Sequence, residues 1–230
     1  YGTVEDFEHL GTHSRIKVDG NWRDTKALIV ASGASPRYLG LDREKELIGH
    51  GLTSCATCDG AFYRNVPVCV VGGGDSACEE AIFLTRFASR VYLIHRRKEL
   101  RASKIMADRL LANPKIEPIW DTVITEYLTD DAGQMRAVTL KNFKTGASCE
   151  FEVKCVFVAI GHVPNTTPFY EKLEMDKNGY LIQRNGTHTN LAGVFAAGDV
   201  ADHVYRQAIT AAGEGCAAAM DAERWLSEQE

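Results

Sequence analysis

The 230 residues hold no apolar run near the ~20 that a membrane helix requires, so no membrane segment is expected. They also hold no basic stripe or basic tail. The net charge is −5, which argues against nucleic acid as the main partner. Closely spaced cysteines are scarce: of seven, an odd count, only Cys55 and Cys58 stand near each other. That fits a reducing, cytoplasmic compartment better than a secreted disulfide framework. A methionine start is absent too, so the chain reads as a fragment whose N-terminus, with any targeting signal, lies outside these residues. What remains, 45% hydrophobic and 25% charged residues, is the composition of a globular protein with ample core.

Val66 to Val71 is a continuous apolar run ending in Gly72-Gly73-Gly74. Ala77, Ala81, Ile82 and Leu84 follow at helical spacing, and Arg90 to Ile94 is a second apolar strand, together the span of a βαβ unit. A further helix is expected from about Glu99 to Ala112, stopped by Asn113-Pro114. The period then becomes that of strands over Val123–Leu128, Arg136–Phe143 and Phe151–Val158, separated by turn residues, which predicts an antiparallel meander. Two apolar strands end alike, in Ala31-Ser-Gly-Ala-Ser-Pro36 and Ala159-Ile-Gly-His-Val-Pro164, which suggests two related domains that hand the chain across to each other. A long helix rich in small residues is expected from Gln207 to Leu226. Cys69, Cys78, Cys149, Cys155 and Cys216 lie in strand or helix patterns and are read as small buried hydrophobes.

Gly72-Gly73-Gly74-Asp75-Ser76-Ala77 matches G-x-G-x-x-A at a strand-to-helix junction. There the first glycine permits a tight turn and the second lets backbone approach a pyrophosphate. Ala77 allows helix to pack on strand, and the helix start offers its N–H groups to phosphate. An NAD site would end the second strand in Asp or Glu. This chain has His95-Arg96-Arg97, with Arg101 beyond. Guanidinium groups pair with phosphate oxygens, so the 2′-phosphate of NADP is the better match.

Cys55-Ala-Thr-Cys58 is a C-x-x-C without a second such motif to complete a zinc site. As a redox pair it makes physical sense: thiols three apart on a turn or helix start can close a disulfide, and the helix start lowers the thiol pKa. Asp59 beside it can shuttle a proton during exchange. A nicotinamide gives a hydride while a disulfide accepts electrons through thiolate chemistry. A flavin, FAD or FMN, is expected to mediate.

These strings, with Ala159–Asn165, Gly193–Asp199 and Tyr205-Arg-Gln-Ala-Ile-Thr210, occur over nearly the whole chain in the order of one family. The chain resembles the bacterial-type, low-molecular-weight thioredoxin reductases. The resemblance implies an α/β, two-domain, Rossmann-like FAD/NAD(P)-linked disulfide reductase fold with an antiparallel meander. It implies an NADPH domain over 41–160 inserted in an FAD domain of 1–40 and 161–230. Gly198 and Asp199 are then expected at the flavin's ribitol, Arg206, Gln207 and Ala208 at its ring, and Ile160 and Gly161 among the cofactor-binding residues. Cys58 faces the flavin, Cys55 attacks the disulfide of thioredoxin, and Asp59 is the acid–base group. The family also implies a homodimer, in which the NADPH domain rotates so that nicotinamide and dithiol take turns at the flavin.

The family's first βαβ unit, whose G-x-G-x-x-G holds the FAD pyrophosphate, is missing from these residues. The 230 residues alone are therefore expected to bind NADPH but to hold FAD weakly or not at all. Three other readings share many of these motifs: a flavin reductase feeding a peroxidase, of the alkyl hydroperoxide reductase type, a ferredoxin-driven reductase, and a non-catalytic NADPH-binding or redox-sensing module. The nucleotide fingerprint and arginines count against the ferredoxin-driven form, and the intact C-x-x-C-D against the inert module.

Overall fold

Pro67–Val71 and Arg90–Ile94 are apolar without alternation, as suits strands covered on both faces. They pair in parallel, Val68 with Val91 and Val70 with Leu93, and the helix Asp75–Leu84 lies between them in the chain. Ile116–Ile119 extends the sheet beyond Arg90–Ile94. On the other side Val156–Val158 and then Leu52–Thr53 complete five parallel strands. Chain order thus reverses between Pro67–Val71 and Val156–Val158. In open α/β sheets the ligand crevice lies at the carboxyl ends beside such a reversal.

The computed structural model describes residues 1–229, and the chain divides into two units. One comprises 1–35 together with the chain from His162 onward, and the other is Pro36–Gly161. The last residue of the 161–230 segment lies outside the described residues.

In the Pro36–Gly161 unit the sheet separates two cores. On one face Ala77, Cys78, Ala81 and Leu84 of the helix pack with Val68, Val70, Val91, Leu93 and Phe157. On the other, Cys69, Ile94, Val156 and Val158 pack with Ile124, Tyr127, Val138 and Leu140. The last four belong to the meander Thr122–Thr129, Met135–Asn142 and Ser148–Glu152, paired antiparallel throughout. The third strand expected over Phe151–Val158 is instead two strands. Ser148–Glu152 closes the meander, the chain bends at Lys154, and Val156–Val158 enters the parallel sheet. The apolar run hides this break because Val153 and Cys155 between them are also buried. The helix expected from Glu99 begins only at Lys104. The backbone N–H groups of Arg101 and Ala102 donate to the Gly73 carbonyl instead of an intrahelical one.

The other unit carries the antiparallel strands Val4–His9, Ser14–Val18 and Asn21–Thr25, and the parallel pair Leu28–Val30 and Val194–Ala196. Phe7, Val30, Phe169, Leu173 and Val194 are central to its core. The helix Ala208–Ser227 lays Ala218 and Ala222 against Phe195 and Ala197, a close approach that its small residues permit. The two A-x-G-x-x-P strings behave alike. Gly33 and Gly161 both take positive φ, +71° and +102°, and each precedes a short strand, Ala34–Pro36 and His162–Pro164.

Cys69, Cys78 and Cys155 are buried, but Cys149 and Cys216 are exposed, contrary to expectation. Cys149 lies on the outer, largely exposed strand of the meander. Cys216 shares a helix face with exposed Ala212, Gly213 and Met220. Among the described residues no helix is long and apolar enough to cross a membrane.

Phe157 is fully buried at the second strand of the parallel sheet and meets the Tyr63 ring edge-on at 5.9 Å. Replacement by alanine removes a large side chain from a core that cannot collapse around the gap. Phe157→Ala is expected to cost the Pro36–Gly161 unit about 3–5 kcal/mol, read from urea denaturation. A loss under about 1 kcal/mol would contradict this packing.

Candidate functional site

Four segments leave the carboxyl ends of neighbouring parallel strands: 54–59 after Leu52–Thr53, 159–161 after Val156–Val158, 72–74 after Pro67–Val71, and 95–101 after Arg90–Ile94. The last three enclose a cleft of about 690 Å³. It is lined by Gly72, Gly73, Gly74, Asp75, Ser76 and Ala77, by His95, Arg96 and Arg101, and by Ile160 and Gly161. Tyr38, Leu39 and Ile124 add apolar wall.

Two glycines of the turn are required by close contacts, and the third leaves open space. A Cβ on Gly72 would sit 2.5 Å from the Ala159 carbonyl oxygen and 2.6 Å from the Ala77 Cβ, so the two turns and the helix touch at backbone distance. A Cβ on Gly73 would sit 2.2 Å from the His95 ring. On Gly74, the residue capping the helix Asp75–Leu84, a Cβ would meet nothing within 4 Å. That bare backbone faces open space at a helix N-terminus, a cradle suited to a pyrophosphate.

Asp75 does not point its charge into this cradle unopposed. Its Oδ1 accepts from the Ser103 N–H (2.9 Å) and hydroxyl (2.8 Å), and these bonds hold the carboxyl below its ordinary range. His95 is buried beneath Gly73. Its Nε2 donates to the Glu99 carbonyl at 3.0 Å. Burial lowers its pKa; the Glu99 and Gly72 carbonyls oppose this, and Arg101 and Arg97 add to it. His95 therefore braces the cleft from below, while the arginines form its charged rim. Arg97 lines an adjoining open hollow with Arg96, Lys98 and Arg101, beside Glu99 and Asp121; its three guanidinium groups suit a phosphate monoester.

At the sheet edge, Cys55 and Cys58 are joined by a disulfide with Cα atoms 5.3 Å apart. Cys55 caps the short helix Ala56–Asp59, its Sγ accepting from the Cys58 N–H at 3.2 Å. Cys58 is exposed and Cys55 half-buried. The Asp59 carboxylate accepts from the Thr53 hydroxyl, whose oxygen in turn accepts from the Cys55 N–H at 3.1 Å. Below them the Tyr63 hydroxyl and the buried Cys155 thiol hydrogen-bond each other. Burial, more than any charge nearby, pushes both pKa values well up, so both groups stay protonated.

The unit formed by 1–35 and the chain from His162 holds the remaining candidates. Asp199 follows Gly198 in a short turn, and its Oδ1 is buried without a hydrogen-bond partner among the described residues. Burial and then Asp202 raise its pKa, while Arg206 opposes them. A buried acceptor left open in this way fits a polyol hydroxyl such as a flavin's ribitol. Asp202 accepts from three successive backbone N–H groups, of Val204, Tyr205 and Arg206. Burial works against its charge, but those three donors hold its carboxyl below the usual range. They also hold Arg206 at φ +47°, ahead of the capping box that Gln207 and Thr210 make for the helix beginning at Ala208.

Four functional-site residues carried no local signal. Thr53, Glu44, Asp202 and Glu214 are ordinary polar letters whose partners come from folding. Glu44, buried, accepts from Leu39 N–H, Gly40 N–H and the Tyr127 hydroxyl, fixing the cleft wall. Glu214 accepts from the Gly198 N–H at 2.8 Å and so sets the turn that presents Asp199. His9 and His13 stand at an H-x₃-H spacing that zinc sites use. They bond Ser14 and Thr12 instead, and among the described residues no cluster suits a metal ion.

The family model described as pyridine nucleotide-disulphide oxidoreductase matches residues 5–215. A thioredoxin reductase of Coxiella burnetii is 52% identical over 219 residues, covering 92% of this chain and 68% of the relative. One from Mycolicibacterium smegmatis is 51% identical, covering 99% and 74%. The crystal structure of thioredoxin reductase from Streptococcus pyogenes superposes with a TM-score of 0.94 at 38% identity, covering 99% of this chain and 74% of that one.

Because the Gly73 backbone rests on the His95 ring, Gly73→Ala forces the ring aside. The variant is expected to lose about 1–3 kcal/mol of stability. Adding His95→Ala should cost clearly less than the two single losses summed, a coupling read by a double-mutant cycle in urea. Simple additivity would refute the contact.

Proposed function

Since this chain belongs to the pyridine nucleotide-disulphide oxidoreductases, and among them to the thioredoxin reductases, we propose that it reduces the disulfide of a thioredoxin with electrons from NADPH, through FAD and the Cys55–Cys58 dithiol. One observation carries this reading. A disulfide with an adjoining carboxylate and a dinucleotide-shaped cleft stand on the same carboxyl edge of one parallel sheet. A module that only bound nucleotide would have no use for the first.

In this proposal Gly72, Gly74, Ser76 and Ala77 receive the NADPH pyrophosphate at the helix start. Asp75 and His95 hold the loops in place, and Arg96, Arg97 and Arg101 take the 2′-phosphate. Ile160 and Gly161 close the cleft on the strand-reversal side. Gly198 and Asp199 would hold the FAD ribitol, and Arg206, Gln207 and Ala208 the flavin ring. When bound, FAD supplies the conversion of a hydride's two electrons into reduction of a disulfide. The chain's own residues do the thiol chemistry. Cys58 is the sulfur facing the flavin, Cys55 attacks the thioredoxin disulfide, and Asp59 carries the proton that one of these thiols gives up or takes back. Residues 41–160 are the NADPH domain and 1–40 with 161–230 the FAD domain, in a homodimer working in a reducing, cytoplasmic compartment.

The test is NADPH-dependent reduction of oxidised thioredoxin with FAD supplied. Cys58→Ser should abolish turnover while leaving NADPH binding within about twofold. Arg101→Ala should weaken NADPH by about 10–100-fold, the value of one lost charge-assisted phosphate contact, and leave NADH nearly unchanged. Equal loss of both nucleotides would remove the arginines from the phosphate site.

A further inference from the structure

Thr53 is the last residue of the two-residue strand that delivers the dithiol, and it is buried. Its backbone is locked in the parallel sheet opposite Phe157. Its hydroxyl makes two bonds of opposite sense. The O–H donates to Asp59 Oδ2, and the oxygen accepts from the N–H of Cys55. Cys55 then accepts, through Sγ, from the N–H of Cys58. One side chain fixed to the sheet therefore connects the carboxylate and the backbone of both cysteines.

We propose that Thr53 is a positioning residue of the dithiol, holding the Asp59 carboxylate in register with the thiol it serves. The inference rests on the thiol-exchange role proposed above. In exchange, the Cys55 thiolate attacks a partner disulfide, forms a mixed disulfide and releases one partner sulfur as thiolate. Cys58 then gives its proton to Asp59, and its thiolate attacks Cys55 Sγ. The mixed disulfide breaks, the second partner sulfur leaves and Cys55–Cys58 re-forms. Two electrons pass from the dithiol to the partner, and the Asp59 proton is available to the departing sulfur.

The Thr53 hydrogen bond fixes the direction of the Asp59 carboxylate, the group proposed to take the Cys58 proton. The other titratable groups set against Asp59 are Tyr63 and Cys155, both kept protonated by burial, together with the dithiol itself. Removing the hydroxyl should therefore free the carboxylate to turn away from the dithiol and slow the proton transfer.

The measurement uses the 230-residue chain, reduced and freed of reductant, with 5,5′-dithiobis(2-nitrobenzoate) as the disulfide. The rate of the second, ring-closing release of thionitrobenzoate is followed against pH, and oxidised thioredoxin is run in parallel. Thr53→Val keeps the β-branched shape that the strand requires. It is expected to slow the ring-closing step about tenfold, and Thr53→Ser should restore it. In an Asp59→Asn background Thr53→Val should produce no further slowing. Superimposable profiles for Thr53→Val and the unaltered chain, or a slowing that persists with Asp59→Asn, would overturn the proposal. A slowing seen with the small disulfide while thioredoxin does not react would keep Thr53 in its role and instead sink the assignment of thioredoxin as substrate.

Discussion

Every chemical group of the Pro36–Gly161 unit depends on the shared direction of five hydrogen-bonded strands. Because they run parallel, all their carboxyl ends lie on one edge, and whatever follows each strand arrives there. The glycine turn, the arginine segment, the Ala159–Gly161 turn and the dithiol follow four of them. Reversal of chain order between Pro67–Val71 and Val156–Val158 opens the crevice among the first three. Parallel pairing needs long crossovers rather than hairpins. The helix and the meander that supply those crossovers are also what cover the sheet's two faces.

Within that frame, precision comes from polar groups acting on backbone. The Gly73 carbonyl takes N–H groups from Arg101 and Ala102, which diverts the arginine segment from helix into rim. Asp75 ties the first helix to Ser103, Glu44 ties the cleft wall to Tyr127, and Asp202 gathers three amides ahead of Arg206. A carboxylate satisfied by several N–H or O–H donors is a stable anchor even when partly buried. These three acids serve as struts rather than as surface charge.

Local sequence carried much of this. The unit over residues 66–94 was legible because a buried strand, a glycine turn and an amphipathic helix follow one another within a short span. The C-x-x-C at a helix start was legible for the same reason. The break inside Phe151–Val158 was not, since Val153 and Cys155 on either side of Lys154 are apolar and buried like the strands, and only remote partners decide which sheet each half joins. Leu52–Thr53 gave no strand signal at two residues long. His95 stood in a basic string and read as a cofactor-binding residue, but the packing of its ring under Gly73 was not legible. That contact needs two segments brought together by the sheet. Thr53 and Glu44 were invisible for the same reason: nothing in their neighbours in sequence specifies their neighbours in space.

The strand that delivers the dithiol has a single neighbour in the sheet, Val156–Val158, and that neighbour is made long after it. The emerging polypeptide thus holds six of the seven cysteines, Cys55, Cys58, Cys69, Cys78, Cys149 and Cys155, before the strand that completes the sheet exists. Non-local pairing of this kind folds slowly and leaves side chains uncovered meanwhile. During that interval any two of these thiols are free to meet under oxidising conditions, and a wrong bridge would withhold Cys69 from the core it must join. The topology that places the disulfide so well in the finished molecule makes its maturation sensitive to when oxidant arrives.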